Sequence, residues 1–249
     1  MKRVIELFVI GFLIFSCQTE DPNAQQIVDK AIDLAGGTNY ENFEMTFDFR
    51  DKQYLINKDN GLFKFERHFK DSIGSYVDIV NNDGFMRYIN KKRIEVADSM
   101  ATRYTSSINS VQYFVLLPSG LNDAAVNKEY LMQETIKKKQ YHKIRVTFNQ
   151  EGGGEDFEDV FVYWIDVQTH KADYIAYSYN ESDGIGMRFR EAYNERNVNG
   201  IRIVDYNNYK SEAQNVLVED LGNLFESNSL KLLSKIETEN VEVILLNNQ

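Results

Sequence analysis

The single cysteine of the chain, Cys17, is the residue with the clearest chemistry. It follows the basic pair Lys2-Arg3 and an almost unbroken apolar run over residues 7–15. This run is too short for a permanent transmembrane helix and is typical of a signal-peptide core. A thiol without a disulfide partner in an exported chain calls for another use, such as covalent modification. The alternative is a buried cysteine that happens to follow an apolar segment.

The residues around Cys17 resemble the lipobox of bacterial lipoproteins. Ser16 is the small residue expected before the cysteine, and Ile14 is the aliphatic residue expected three positions before it. Phe15 is bulkier than the residue usual at its position. The resemblance implies cleavage after residues 1–16 and acylation of the new N-terminal cysteine. Acyl chains contribute about 0.8 kcal/mol per buried CH₂, so several of them anchor a protein durably to a membrane.

The residues after Cys17 bear on which membrane it reaches. Gln18 takes the place of the aspartate that retains some Gram-negative lipoproteins in the inner membrane, so we expect the outer membrane. The acidic pair Glu20-Asp21 also resembles the surface-export tag of certain lipoproteins. An ordinary polar tether over residues 17–23 explains the pair equally well. Both a periplasm-facing and a surface-exposed protein therefore remain open.

A charged residue is predicted among aromatic residues in one hairpin. Arg67 alternates in register with Phe65 and Phe69, so all three share one face of a strand. If that face is interior, Arg67 needs a partner, because an unpaired buried charge is costly. Asp78, which follows Tyr76 on the next strand, is the candidate partner. The pair is either a polar anchor for a ligand headgroup or a purely structural ion pair.

Two apolar features are candidates for binding a hydrophobic ligand. Neighbouring predicted strands carry an aromatic block of Tyr163, Trp164, Tyr174, Tyr177 and Tyr179. These rings either line a lipid cavity or belong to ordinary sheet packing. The loop that contains Leu117 is unusually apolar, and we expect it to gate such a cavity.

No residues have a spacing that specifies catalysis or a metal site. The acidic residues of 151–159 surround a glycine turn but lack the Asp-x-Asp-x-Asp-Gly order of a calcium loop, which favours a solvated hairpin. His68, His142 and His170 are not spaced as in HExxH. A Gly-x-Ser-x-Gly elbow is missing from the sequence. We therefore predict no catalytic residue, metal or cofactor.

Charge and composition exclude some classes of function. The formal net charge of the 249-residue chain is −10, and it becomes −11 without residues 1–16. An acidic domain repels nucleic acid, so such a partner is not expected. Aromatic residues make up 13% of the chain, and hydrophobic residues 43%, enough for a substantial core. The length after Cys17 suits one domain of the all-β kind, over residues 24–249.

The periodicity predicts a helix followed by a long antiparallel meander. Asp21-Pro22 is expected to start the helix, and a period of two begins at Phe43. Asn60-Gly61 is a strong hairpin signal. Further helices are expected over residues 98–114 and 221–225. The pattern indicates a mainly β protein with α, in which ten to eleven strands form one curved sheet.

The chain also resembles a family of uncharacterised exported proteins of Gram-negative bacteria with a LolA/LolB-like fold. The resemblance rests on Asn109 to Phe114, Leu117-Pro118, Leu121-Asn122-Asp123, Val146-Thr147-Phe148 with Gly152 to Gly154, Tyr163-Trp164 and Arg188-Phe189-Arg190. It implies an open β-barrel of about eleven strands wrapped over helices and enclosing an apolar cavity. It supplies no functional residues.

Together these features favour a non-catalytic, lipid-anchored envelope protein that binds lipid or the acyl chains of another lipoprotein. A tethered domain must work within reach of one membrane, so a receiving or sensing role, nearer LolB than LolA, is expected. An envelope hydrolase acting on glycan or lipid is the alternative, and a protein-interaction scaffold is the third possibility.

The anchor can be tested by replacing its acceptor. We expect Cys17→Ala to leave the fold intact and to release the protein from the membrane fraction, because no thiol remains to be acylated. Fractionation by centrifugation checks this. A variant that still pellets with membranes would contradict the lipid anchor.

Overall fold

The computed structural model describes residues 23–152, 157–181, 184–213 and 215–246. Cys17, the predicted signal peptide and the tether up to residue 22 lie outside the described residues. None of the helices in these ranges combines the length and the apolarity needed to cross a membrane.

The first helix, α1, spans Ala24–Ala35. It starts two residues later than Asp21-Pro22 predicted, because the side chain of Asn23 caps it and accepts a hydrogen bond from the Gln25 amide at 2.9 Å. One face of α1 is apolar and buried, as the helical spacing of its hydrophobic residues requires.

Two other α-helices lie where the sequence predicted them. The long helix α2 spans Asp98–Val115, and the short helix α3 spans Leu221–Glu226. Three turns of 3₁₀ helix cover Gly37–Tyr40, Ser119–Asn122 and Val218–Asp220.

The described strands form two antiparallel sheets of seven strands each. The first sheet has the order β14-β1-β2-β3-β4-β5-β6. Its members are β1 (Phe43–Phe49), β2 (Lys52–Asp59), β3 (Leu62–Lys70), β4 (Ser75–Asn81), β5 (Gly84–Ile89), β6 (Lys92–Ile94) and β14 (Glu239–Leu245).

The second sheet has the order β13-β12-β11-β10-β9-β8-β7. Its members are β7 (Val126–Ile136), β8 (Lys139–Phe148), β9 (Val160–Asp166), β10 (Ala172–Glu181), β11 (Gly184–Val198), β12 (Ile201–Ser211) and β13 (Leu230–Ile236).

The mainly β, antiparallel character predicted from the sequence is confirmed, but the strand number was wrong. The described residues hold fourteen strands in two sheets rather than ten or eleven in one. The strands that were missed are β2, β6 and β13. In β2 only Tyr54 and Ile56 are buried, and in β13 only Ile236 is, so their hydrophobic alternation is too weak to be read.

One hydrophobic core lies between the two sheets. It joins Phe43 and Phe47 of the first sheet to Ile144 and Ile165 of the second. The buried faces of α1 and α2 belong to the same cluster. Helices α1 and α2 therefore pack their buried faces between the two sheets, and their backbones are hydrogen-bonded within themselves rather than to a sheet.

A second, smaller core covers the other face of the second sheet. Trp164, Tyr174 and Phe189 pack there against Leu221 and Phe225 of the α3 region. Since consecutive strand residues point to opposite faces, the burial of both Tyr163 and Trp164 requires this outer cover.

The outer cover depends on close contact at Gly222. A Cβ atom at this position would lie 2.7 Å from Cζ2 of Trp164 and would also meet Oε1 of Glu134. We expect Gly222→Ala to lower the free energy of unfolding by roughly 1–3 kcal/mol, because overpacking would push α3 off the sheet. Urea denaturation measures this.

Asn223→Ala is the matched control, because the neighbouring side chain on the same helix is exposed. Alanine favours a helix over glycine by about 1 kcal/mol, so a Gly222→Ala protein more stable than the wild type would contradict the close packing.

Candidate functional site

The described residues line a cavity with a volume of about 400 Å³. This size falls within the range of about 300–1,000 Å³ that small-molecule sites occupy. The turn between β1 and β2, helix α2 and the strands β11 to β13 surround it. Its apolar walls are Phe49, Tyr54, Val111, Phe114 and Ile236. The cavity is therefore placed where both sheets and α2 meet.

The charged residues of this cavity are mostly cationic. Arg50, Lys52, Arg67 and Arg190 line it, against one acidic residue, Asp51. The Asp51 side chain is 76% exposed and pairs with Lys52 at 2.6 Å. In a chain with a net charge of −10, this concentration of positive charge is a local property of the cavity.

Arg67 and Asp78 form the ion pair predicted from the sequence. They are direct cross-strand neighbours on β3 and β4, and Arg67 Nη2 donates to Asp78 Oδ2 at 2.7 Å. Asp78 is completely buried, and Arg67 is 6% exposed. The pair lies on the inner face of the first sheet, and Arg67 also donates to the Ser107 hydroxyl of α2 at 2.9 Å.

Asp78 has a second arginine partner that the sequence analysis missed. Arg87 stands opposite it on β5, and its Nε and Nη2 donate to Oδ1 and Oδ2 at 2.6 and 2.8 Å. Arg87 also stacks on Tyr104 of α2, with 3.8 Å between its guanidinium carbon and the ring centroid. One carboxylate shared by two arginines leaves the triad with a net positive charge.

Arg190 supplies positive charge from the opposite wall. Its Nη2 donates to the Tyr177 hydroxyl at 2.7 Å, and its guanidinium lies 4.9 Å from the Tyr177 centroid and 5.1 Å from that of Phe114. Among the described residues Arg190 forms no ion pair, and its buried Nε has no hydrogen-bond partner. Aromatic faces hold this charge without neutralising it.

The phenols near Arg190 do not supply an anion either. The hydroxyls of Tyr113 and Tyr163 share a hydrogen bond of 2.7 Å. Burial raises the pKa of Tyr113 and of Tyr163 above the ordinary value near 10. Both groups therefore stay neutral at physiological pH.

The aromatic block predicted from the sequence is divided between the two faces of the second sheet. Tyr163 and Tyr177 belong to the inner side, where Phe161 stacks on both rings. Trp164 and Tyr174 belong to the outer core beneath α3. Of the two alternatives for the block, sheet packing describes Trp164 and Tyr174, because both point away from the inner space.

Leu117 lies in the inner core rather than at an exposed gate. It is 6% exposed, and together with Tyr163 and Tyr206 it borders a second cavity of about 10 Å³. That volume is about one water-sized probe and excludes an organic ligand. No cluster of three or more His, Cys, Asp or Glu side chains in the described ranges is placed to hold a metal ion.

The comparisons with known proteins give one family. The model of DUF6503, a family of unknown function, matches residues 2–238. The chain belongs to DUF6503. This confirms the prediction of an uncharacterised family, and the search of curated proteins gave no match.

Two solved structures illustrate what this DUF6503 chain is similar to. A LolA superfamily protein, NE2245 from Nitrosomonas europaea, is 11% identical, with 92% of this chain and 96% of that chain covered and a TM-score of 0.48. A DUF1329 family protein from Desulfovibrio piger is 10% identical, with 88% and 92% covered and a TM-score of 0.43.

Of the lining residues, sequence reasoning predicted only Arg67 as a site residue, and the missed ones include Arg190 and Asn208. They face each other directly on β11 and β12. The alternation of Arg188, Phe189 and Arg190 next to the Tyr177 strand was the available signal, since it places two arginines on one face of an aromatic sheet.

The triad around Asp78 can be tested by removing its charge in this DUF6503 protein. We expect Asp78→Asn to lower the free energy of unfolding by roughly 3–5 kcal/mol, because two arginines lose their shared counter-charge in a buried site. Guanidinium denaturation measures the loss. Asp83→Asn, at an exposed turn position, is the matched control. Equal stability of the two variants would contradict a buried ion triad.

Proposed function

We propose that this protein is a lipid-anchored lipoprotein of the cell envelope that holds an apolar ligand between its two sheets and catalyses no reaction. The ligand class is lipid, or the acyl chains of another lipoprotein. The observation that carries the proposal is the way the inner space is filled. One segment, residues 98–122, occupies it, and we call this the plug.

The plug buries apolar surface without belonging to either sheet. It connects the edge strand β6 to the edge strand β7. Seven of its large apolar side chains are buried, namely Ile108, Val111, Phe114, Val115, Leu116, Leu117 and Leu121. Because α2 satisfies its own backbone groups, moving the plug breaks no strand pairing. An apolar ligand that takes the place of the plug buries the inner faces of the sheets again. This burial contributes about 25 cal/mol per Å² of apolar surface removed from water.

The plug is also weakly held over its first half. The stretch from Thr102 to Ser110 is rich in hydroxyl residues, whose helix propensity is modest and which bury little apolar area. The 400 Å³ cavity adjoins this part of α2 through Ser107 and Ser110. Ligand entry along the cavity would therefore displace the less apolar half of the plug first.

The lipobox-like segment determines where in the cell envelope a ligand can replace the plug. Only residues 17–23 separate the lipidated cysteine from α1, a span of at most about 25 Å when fully extended. Such a tether holds the domain close to one membrane, for which we propose the outer membrane. This supports a receiving or sensing role over that of a carrier that crosses the periplasm.

The proposal is tested by extracting the purified protein with organic solvent and identifying the extract by mass spectrometry. We expect lipid or acyl chains in a fixed ratio to protein. A protein purified from membranes without any bound apolar compound, and unable to bind one when it is added, would overturn the proposal.

The role of the plug is tested with Leu117→Ala. Losing this buried side chain weakens the plugged state by about 2–5 kcal/mol and leaves the open state unchanged. The neutral apolar dye N-phenyl-1-naphthylamine should therefore bind tenfold or more tightly, since about 1.4 kcal/mol corresponds to a factor of ten. Fluorescence titration measures the affinity.

Leu34→Ala is the control, because Leu34 is on α1 and is 59% exposed. Its dye affinity should equal that of the wild type. If Leu117→Ala loses stability and binds the dye no better, Leu117 is part of a fixed core and the plug does not move.

A further inference from the structure

No carboxylate among the described residues pairs with the positive charge of Arg190. Three rings surround its guanidinium, with centroid distances of 4.9 Å to Tyr177, 5.1 Å to Phe114 and 6.0 Å to Tyr206. Within the described part of the chain, its guanidinium donates one hydrogen bond, to the Tyr177 hydroxyl. The Nε–H group is buried and unpaired. Arg190 is half-buried, and leaving its buried Nε–H donor without an acceptor is costly unless a ligand supplies one.

Asn208, directly opposite Arg190, carries a second incomplete group. It is 8% exposed and lines the same cavity. Its Nδ2 donates to the Ser234 hydroxyl at 3.1 Å, whereas its Oδ1 has no partner among the described residues. Buried polar atoms are almost always paired in folded proteins. The Nε–H group of Arg190 therefore lacks an acceptor, which an oxyanion supplies, whereas Oδ1 of Asn208 is an acceptor and takes a donor such as the hydroxyl of a headgroup.

The opposite wall provides further positive charge. Arg67 shares Asp78 with Arg87, so the triad retains a net positive charge and presents Arg67 to the cavity. Arg50 and Lys52 stand at the β1–β2 turn of the same cavity. Burial also raises the pKa of Tyr54, a tyrosine that lines this cavity, so its phenol supplies no negative charge there.

We infer that this cavity binds the oxyanion headgroup of an amphiphile, a carboxylate or a phosphate, with Arg190 as its principal ligand and Arg67 as the second cation. The inference rests on the proposed function and specifies the ligand class for the same site. Arginine suits this role, since its planar fork binds carboxylate and phosphate with two parallel hydrogen bonds.

The walls then orient the rest of the ligand. Phe49, Phe114 and Ile236 border the charged part of the cavity, and Phe114 belongs to the plug. With the headgroup at Arg190, the apolar chain follows Phe114 into the inner core and replaces plug side chains there. Arg190 therefore binds the headgroup at one end of the amphiphile, and burial of its apolar chain holds the other end.

The test compares four probes by calorimetric titration of the purified protein below their aggregation concentrations: dodecanoate, dodecyl phosphate, dodecanol and inorganic phosphate. We expect the two anionic amphiphiles to bind about tenfold to a hundredfold more tightly than dodecanol, which is the range for a charge-assisted hydrogen bond. Arg190→Gln should remove this difference and leave the affinity for dodecanol unchanged.

Three further variants distinguish loss of the anion site from loss of charge elsewhere and from loss of stability. Arg190→Lys retains the charge and should restore part of the difference. Asn208→Asp places a carboxylate opposite Arg190, so it should raise or preserve the melting temperature while it abolishes anion binding. Arg93→Gln, at an exposed position on the edge strand β6, makes the same charge change away from the cavity and should bind all probes as the wild type does.

The outcomes separate this inference from the proposed function. If dodecanol binds as tightly as dodecanoate and dodecyl phosphate, the headgroup site is wrong and apolar binding stands. If inorganic phosphate binds as tightly as dodecyl phosphate while dodecanol does not bind, the oxyanion site stands and the apolar function is overturned. Failure of both anionic amphiphiles to bind, or an Arg190→Gln protein that still prefers them, overturns the inference.

Discussion

The inner faces of the two sheets are apolar, and the chain covers them with a segment that forms no strand pairing with either sheet. This constraint shapes the rest of the molecule. The residues between the edge strands β6 and β7 have to enter the interior, and α2 gives them a form in which backbone hydrogen bonds are already satisfied. The same apolar contacts therefore determine both the stability of the fold and whether the plug or a ligand lies between the sheets. A ligand that competes for these contacts acts directly on the position of the plug.

The arginines on the inner faces of the two sheets have different kinds of partner. On the first sheet, Asp78 is enclosed by Arg67 and Arg87, and the three side chains follow one line across adjacent strands. On the second sheet, aromatic rings and a tyrosine hydroxyl contact Arg190, and no carboxylate of the described residues pairs with it. In the first arrangement every charge has an ion-pair partner, although one carboxylate serves two arginines and a net positive charge remains. In the second arrangement the guanidinium has no ion-pair partner, so a bound anion has more effect there.

The sequence predicted those parts of the structure that depend on local periodicity. Alternation identified β1, β3 and β4, and it placed Arg67 and Asp78 on the same face of neighbouring strands, where antiparallel pairing of β3 with β4 sets them directly opposite each other. It failed for β2 and β13, where few side chains are buried. It also could not assign the two faces of β9. Both faces are buried, so the hydrophobic run over Val162 to Ile165 has no period, and the outer cover comes from α3, far along the chain. Arg190 was missed for a related reason, since an arginine without a carboxylate partner gives no pairwise signal in the sequence.

The outer cover on the second sheet has a mechanical consequence. The strands β1 to β4 alternate between buried and more exposed positions, so one face of the first sheet borders solvent. Most of β9 and the first half of β12 are buried on both sides. A sheet clamped between two packed layers resists bending more than a sheet supported on one side, because any distortion disturbs two close-packed interfaces. We therefore expect the second sheet to bend less than the first. Arg190 lies on β11, which pairs with β12 and belongs to this second sheet, so we expect its position to change less than that of the opposite wall.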